Sequence, residues 1–245
     1  MNILAFDTCF AACSAAALSS DPGASAPDRL HGLFEPMATG HAERLVAMIG
    51  EVMVGAGLAF ADLDRIAVTN GPGSFTGTRI SVAAARALAL SFSVDVVAVS
   101  SLAVMAEQAA RYLASEPNAT HLSGLNGASL LIAVDARRGE VYAQQFRTSG
   151  ADPITAPLLL PARDAAALGD GPLIVAGSGA EAVVEAANIL GRRAAAHLPG
   201  LLPDARVMCH LAATMQPGSG VIKPLYLRPA DAKPQTGKTI ERATT

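Results

Sequence analysis

The sequence predicts an α/β chain made of two related halves. Three observations carry this expectation. Strand-like and helix-like runs alternate along most of the chain. A strand ending in aspartate, a tight turn and a returning strand occur twice, at Asp7 and again at Asp135, an echo that points to duplication. In each half a later strand runs into a glycine-rich loop and then a helix. In order, residues 3–6 read as a buried strand, 7–12 as a turn and 13–18 as the returning strand. Residues 21–27 form a proline/alanine loop, and Phe34 closes a third strand. From His41 the apolar positions Leu45, Met48, Ile49 and Val52 recur at helical spacing, and the pattern stops near Gly55 and Gly57. Residues 65–69 are a strand that breaks into Gly71, Pro72, Gly73 and Gly77 and restarts as an alanine-rich helix to about residue 90. A strand over 94–99 follows, and Ser100 or Ser101 caps a third helix through Tyr112.

After an irregular polar stretch over 114–128, the second half opens with a strand over 129–134. It turns at Arg137, Arg138 and Gly139 and returns over 140–146. A strand over 173–176 then enters Gly177-Ser178-Gly179 and a helix over 181–190. The expected division is an N-terminal lobe over 1–100 and a C-terminal lobe over 101–230 whose last helix returns to the first lobe. A polar, flexible tail over 231–245 follows, punctuated by Pro234 and Gly237.

Composition narrows the function classes. With 245 residues and 51% hydrophobic content, the chain can bury one large core or two small ones. A formal charge of −3 argues against gripping nucleic acid unaided, because phosphate binding is driven by clustered Lys and Arg. Any RNA contact is expected through a partner. The 3 cysteines, Cys9, Cys13 and Cys209, have no zinc-like spacing and suit buried thiols in a reducing compartment. The first residues lack a basic segment and reach Asp7, unlike a signal peptide, and the apolar stretch over 80–99 is interrupted by Arg86 and Asp95. The expectation is a cytoplasmic protein with no membrane partner.

The most informative stretch is residues 69–86. A strand stopping in 3 glycines and a proline just before a helix delivers backbone N–H groups at a helix N-terminus, the geometry of an anion cradle. It is not a P-loop, since Thr78 follows Gly77 where that pattern needs lysine. From these residues alone a structural turn and a phosphate loop stay equally open. Catalytic signatures are missing: there is no H-E-x-x-H, no G-x-S-x-G and no recognisable Cys-His arrangement. His31, His41, His121, His197 and His210 include no i, i+4 pair, so no metal site is expected. His41 has Leu45 at that position and is assigned a capping or interface role.

The block Gly71-Pro72-Gly73-Ser74-Phe75-Thr76-Gly77-Thr78-Arg79 resembles the signature of the TsaB (YeaZ) family, non-catalytic partners in bacterial tRNA N6-threonylcarbamoyladenosine (t6A) synthesis. The resemblance extends to residues 3–8, Cys13-Ser14-Ala15, the helix start at His41, the turn over 135–142 and Tyr226-Leu227-Arg228. It implies a two-lobed actin-like ATPase (ASKHA, ribonuclease H-like duplicated) fold. In that fold Asp7, Thr8, Asp135, Arg137, Gly139, Gly177 and Gly179 become candidates for a weak nucleotide cleft. The first hairpin has no glycine to wrap a phosphate and Phe10 crowds it, so Asp7 and Thr8 read first as turn formers. No tightly bound cofactor is expected, and ATP or ADP only in complex with the catalytic relative TsaD.

TsaD carries a metal-binding histidine pair whose pattern falls on residues 99–105, where Ser101 and Met105 replace both ligands. The resemblance therefore implies a scaffold and activator of TsaD, with no catalytic residue of its own. It also implies as partners TsaD, the ATPase TsaE and the threonylcarbamoyl-adenylate synthase, with tRNA met only through the complex, at A37 of tRNAs reading ANN codons. The two helices of the first lobe would build a four-helix bundle with TsaD, or with a second copy as a homodimer when TsaD is absent. The expected interface residues are His41, Leu45, Met48, Ile49, Val52, Phe75, Arg79 and Ala84. Leu45, Met48, Ile49 and Val52 are read as spanning more than one stripe, with Met48 chosen to leave the core. The alternative is a small-molecule kinase of the same fold, using Asp7, Asp135 and residues 177–179. A metallopeptidase lacks its ligands.

Overall fold

The computed structural model describes residues 1–20, 28–115, 122, 124–218 and 220–228. The expected loop over 21–27, His121 and the expected tail over 231–245 lie outside the described residues. Apolar runs flanked by turn formers become the strands. β1 (Asn2–Asp7), β2 (Ala12–Ser19) and β3 (Arg29–Pro36) lead into α1 (His41–Ala56). Then β4 (Arg65–Thr69), α2 (Phe75–Phe92), β5 (Asp95–Val99) and α3 (Ser101–Ser115) complete the first half. The second half repeats that order with β6 (Ser129–Asp135), β7 (Glu140–Phe146), β8 (Leu158–Pro161), α4 (Ala162–Ala166), β9 (Leu173–Ala176), α5 (Ala180–Ile189), β10 (Ala194–Ala196) and α6 (Ala205–Thr214).

Each half closes a 5-stranded sheet. The first has the order β3-β2-β1-β4-β5 and the second β10-β9-β6-β7-β8, which is the same order read from the other edge. The pairing senses also match: β1, β2 and β3 are antiparallel, as are β6, β7 and β8, whereas β4 and β9 run parallel to β1 and β6. Identical order and sense in both halves make this the duplicated, two-lobed actin-like ATPase fold. Four elements, β8, α4, β10 and α6, carry little local signal. Ala194-Ala195-Ala196 would favour helix by propensity, yet it forms a strand because it pairs in parallel with Leu173, Ile174 and Val175 of β9.

Alternation along each central strand fills both faces of its sheet. Leu4 and Phe6 face α1 and α2, with Leu45, Met48, Ile49, Val52, Ile66 and Val68, while Ile3 and Ala5 face α6 through Met208 and Cys209. In the second lobe Leu130, Ile132 and Val134 meet Leu102, Met105 and Ala109 of α3, and Leu131 and Ala133 meet α4 and α5. α3 and α6 are thus exchanged: the last helix of each half packs on the sheet of the other. Polar contacts hold α6 there. Ser14 Oγ accepts from Ala205 N at 2.9 Å, and Arg65 Nη1 donates to the Met215 carbonyl at 2.7 Å and to that of Ala212, satisfying carbonyls at the helix end. Among the described residues no helix is long and apolar enough to cross a membrane.

Candidate functional site

The glycine block begins where β4 ends and stops inside α2. Ser74 caps that helix by accepting from Gly77 N at 3.0 Å, and its carbonyl accepts from Thr78 N. Ser74 N itself donates to the Cys9 carbonyl at 2.7 Å. Three N–H groups of the block, those of Ser74, Gly77 and Thr78, are therefore used inside the chain. The glycines serve close approach instead. A Cβ on Gly77 would stand 1.9 Å from the Thr8 carbonyl oxygen, and one on Gly73 2.5 Å from that of Cys9, so the block is shaped to press on the first hairpin. These close contacts and bonds support the structural-turn reading of the block.

The first hairpin is correspondingly sealed. Asp7 is fully buried; its Oδ1 accepts from Cys9 N at 3.2 Å and from Thr69 Oγ1, while Oδ2 has no partner. Burial is the main cause that raises the Asp7 pKa from 3.8 to about 6, against the opposing bonds from Thr69 and Cys9. Thr8 is tied by its Oγ1 to the Gly77 carbonyl at 2.7 Å and by its N–H to Ser81 Oγ at 3.0 Å. Phe10, half-buried, packs on the second lobe's cluster beneath α3, and His41 Nε2 donates to the Phe10 carbonyl at 3.0 Å. The N–H groups of Thr8 and Cys9 are thus already bonded within the chain, and Phe10 packs between the lobes.

The second hairpin differs. Asp135 is exposed; its Oδ1 accepts from Arg137 N at 2.8 Å and its N–H donates to Ser178 Oγ at 3.0 Å. Arg137, Arg138 and Gly139 all have positive φ, at 63°, 59° and 75°. Gly177 and Gly179 dock on β6, where added Cβ atoms would lie 2.5 Å and 3.2 Å from the Ala133 carbonyl oxygen. Of the cleft candidates, the structure thus joins Asp135, Arg137 and Gly139 in one turn and Gly177 and Gly179 in the neighbouring one. Asp7 and Thr8 are locked inside their own lobe.

The interface residues need correction. Leu45, Met48, Ile49 and Val52 are at most 5% exposed and belong to the first lobe's core. Their spacing of i, i+3, i+4 and i+7 is one stripe rather than more than one, so none of them leaves the core. Ala84 is partly buried against the same cluster, and His41 is engaged with Phe10. Phe75 and Arg79 are exposed but stacked, with the Arg79 guanidinium 3.6 Å from the Phe75 ring centroid and its Nε donating to Tyr226 Oη at 2.6 Å. The outward apolar positions that the sequence reading missed are Val46 and Val54 on α1, 72% and 80% exposed, and Leu90 on α2, 86% exposed. Val54 and Leu90 sit roughly half a turn from the buried stripes of their helices and Val46 about a quarter turn from its own, positions legible in the same periodicity.

Ser101 and Met105 have packing roles. Ser101 opens α3, its N–H donating to the Gly71 carbonyl at 3.0 Å and its Oγ to that of Pro72 at 2.5 Å, and Met105 is buried beside Gly177. Among the described residues no group of three or more His, Cys, Asp and Glu could hold a metal ion.

Known proteins resemble this chain along most of its length. The model of the TsaD family, tRNA N6-adenosine threonylcarbamoyltransferase, matches residues 35–158. A solved structure from Pseudomonas aeruginosa, an uncharacterized protein with similarity to the peptidase YeaZ, superposes with a TM-score of 0.72 at 30% identity, covering 93% of this chain and 99% of that one. The tRNA threonylcarbamoyladenosine biosynthesis protein TsaB of Escherichia coli is 36% identical over 148 residues. The chain belongs to the TsaB (YeaZ) family. An uncharacterized protein of Mycobacterium tuberculosis is 33% identical over 205 residues, 80% of this chain and 79% of that protein. The E. coli match covers 60% of this chain and 55% of the relative, so the chain spans about half the length of the curated TsaB relatives it matches. The family places the sealed first hairpin and the α1–α2 pair in a protein related to TsaD.

Proposed function

We propose that this chain acts in t6A biosynthesis as a non-catalytic scaffold that docks TsaD through the outward face of α1 and α2. The observation that carries the reading is that face: Val46 and Val54 on α1 and Leu90 on α2 lie open on neighbouring helices, flanked by the small exposed residues Ala47, Ala83 and Ala87. Small side chains let helices approach to roughly 8–10 Å between axes, which suits a four-helix seam with two equivalent helices. A second copy of the chain occupies the same seam when TsaD is absent. TsaE joins the assembly, tRNA is reached only through it, and the modified base is A37 of tRNAs reading ANN codons.

The chain holds no chemistry of its own in this reading, because Ser101 and Met105 stand at the two aligned histidine positions. Nucleotide binds the lone chain weakly, with a dissociation constant at or beyond roughly 1 mM. The deciding experiment is reconstitution. The purified chain alone forms no modified tRNA, and synthesis requires it together with TsaD, TsaE, the adenylate-forming enzyme and substrates. Leu90→Asp and Val54→Asp stay folded and lose both self-association and TsaD binding in size-exclusion runs. Transfer of threonylcarbamoyl by the chain alone, or unchanged docking in both variants, contradicts the proposal.

A further inference from the structure

Tyr226-Leu227-Arg228, part of the family resemblance, has no task in the function above. In the structure this segment runs from one lobe to the other. At its start Arg86 Nε donates to the Ile222 carbonyl at 2.9 Å. Asn70, at the head of the glycine block, then holds it twice, accepting from Leu225 N at 2.7 Å and donating from Nδ2 to the Lys223 carbonyl at 3.2 Å. Contact there is close, since a Cβ on Gly71 would lie 2.9 Å from the Leu225 carbonyl oxygen. Tyr226 next stacks on Phe75, with ring centroids 5.5 Å apart and planes at 29°. Arg79 lies over the Phe75 ring and bonds the Tyr226 hydroxyl, closing a three-member clamp on the first turn of α2. Two residues later the chain has reached the other lobe. Arg228 donates to the Ala136 carbonyl at 2.9 Å and to Glu140 Oε2 at 2.6 Å, bracketing the turn that holds Arg137, Arg138 and Gly139.

We propose that residues 221–228 are a positioning strap that fixes the N-terminal turn of α2, at the head of the docking face, to the β6–β7 hairpin. The inference rests on the docking reading above for its consequence but not for its existence. A single surface ion pair would contribute little. Here one guanidinium holds a main-chain carbonyl and a carboxylate at once, and the chain leading to it is bonded to the glycine block on the other lobe. Loosening the hairpin end therefore loosens Phe75 and Arg79, which have no direct contact with that hairpin in this chain of bonds. Arg228 and Tyr226 act as positioning residues for docking.

The test is amide hydrogen exchange on the full chain alone, comparing wild type with Arg228→Ala and with the milder Glu140→Gln. Exchange is expected to rise about fivefold or more over residues 71–79 as well as over 136–140, because opening at either end releases a shared local unit. Arg228→Lys restores only part of the protection, since an ammonium cannot present the same planar fork to two acceptors. Acceleration confined to 136–140 in both variants overturns the strap. Self-association of the same variants separates the two proposals. Arg228→Ala should weaken it about tenfold, a partial loss set by the share of molecules with the docking face in place. Coupled exchange with unchanged self-association overturns the positioning role. If instead Leu90→Asp and Val54→Asp both leave self-association intact, the docking reading fails, and the exchange data still decide whether the strap exists.

Discussion

The two lobes share one strand order and differ at the turn between their first two strands. In the first lobe that turn has no glycine of its own and borrows space from its neighbour, as Gly73 and Gly77 let the α2 loop press on Thr8 and Cys9. In the second lobe the turn carries Gly139, where an added Cβ would meet nothing within 4 Å, and stands in solvent. Duplication thus preserved the sheet, whose hydrogen bonds and two-faced burial leave little freedom, and let the turns diverge. One turn became an internal joint and the other a surface turn bonded by Arg228, Ser178 and the Ala162 N–H. The two lobes therefore respond differently to equivalent substitutions.

The largest contrast is expected for glycine. Gly77→Ala puts a Cβ 1.9 Å from a main-chain oxygen of a fully buried residue, a clash no side-chain rotation relieves. It should cost about 4 kcal/mol or more, a loss of roughly 10 °C in melting temperature for a chain of this size. Gly139→Ala meets only the left-handed backbone penalty of about 1 kcal/mol. Thermal denaturation of the pair checks this, and equal losses would mean that the first hairpin is free to move away from α2.

A smaller effect concerns pH and the sealed first turn. The Asp7 pKa is raised from 3.8 to about 6 in the folded chain, chiefly by burial, so the folded state binds the proton more tightly than the unfolded state does. Stability then falls as pH rises from about 4 to about 6, and above that range the full penalty of the buried charge remains, about 3 kcal/mol. Asp7→Asn removes this slope, and the melting temperature loses its fall across that window. Persistence of the fall in Asp7→Asn would assign it to other groups.

Local signals made much of this architecture legible. The hairpins, α1 and both glycine loops were readable because alternation, helical spacing and glycine act over a few residues. β10 was not, since Ala194-Ala195-Ala196 becomes a strand only through its pairing with β9. The outward face of α1 was misread for a different reason. Leu45, Met48, Ile49 and Val52 already form one complete stripe, and counting them as more than one moved core residues to the surface. The sealing of Asp7 depends on Thr69, and that of Thr8 on Gly77 and Ser81, each more than 60 positions away in sequence. Tyr226 reaches Arg79 across 147 positions. Such contacts leave no periodic trace, so the residues of the strap were visible as a motif while their task was not.

The smallest predicted effect probes the open turn itself. Arg137 and Arg138 both hold left-handed backbone, a conformation that costs a side-chain-bearing residue roughly 1–2 kcal/mol. Arg137→Gly relieves that cost at one position, but glycine also widens the unfolded ensemble by about 0.4–1 kcal/mol, and the two effects oppose each other. The net expectation is a gain of about 0.5–1 kcal/mol, a rise of a few degrees in melting temperature. The Arg137 N–H bond to Asp135 survives the change because it belongs to the backbone. A fall in stability would show that the Arg137 side chain holds the turn in place, and the second hairpin would then be braced as the first one is, through a side chain instead of through packing.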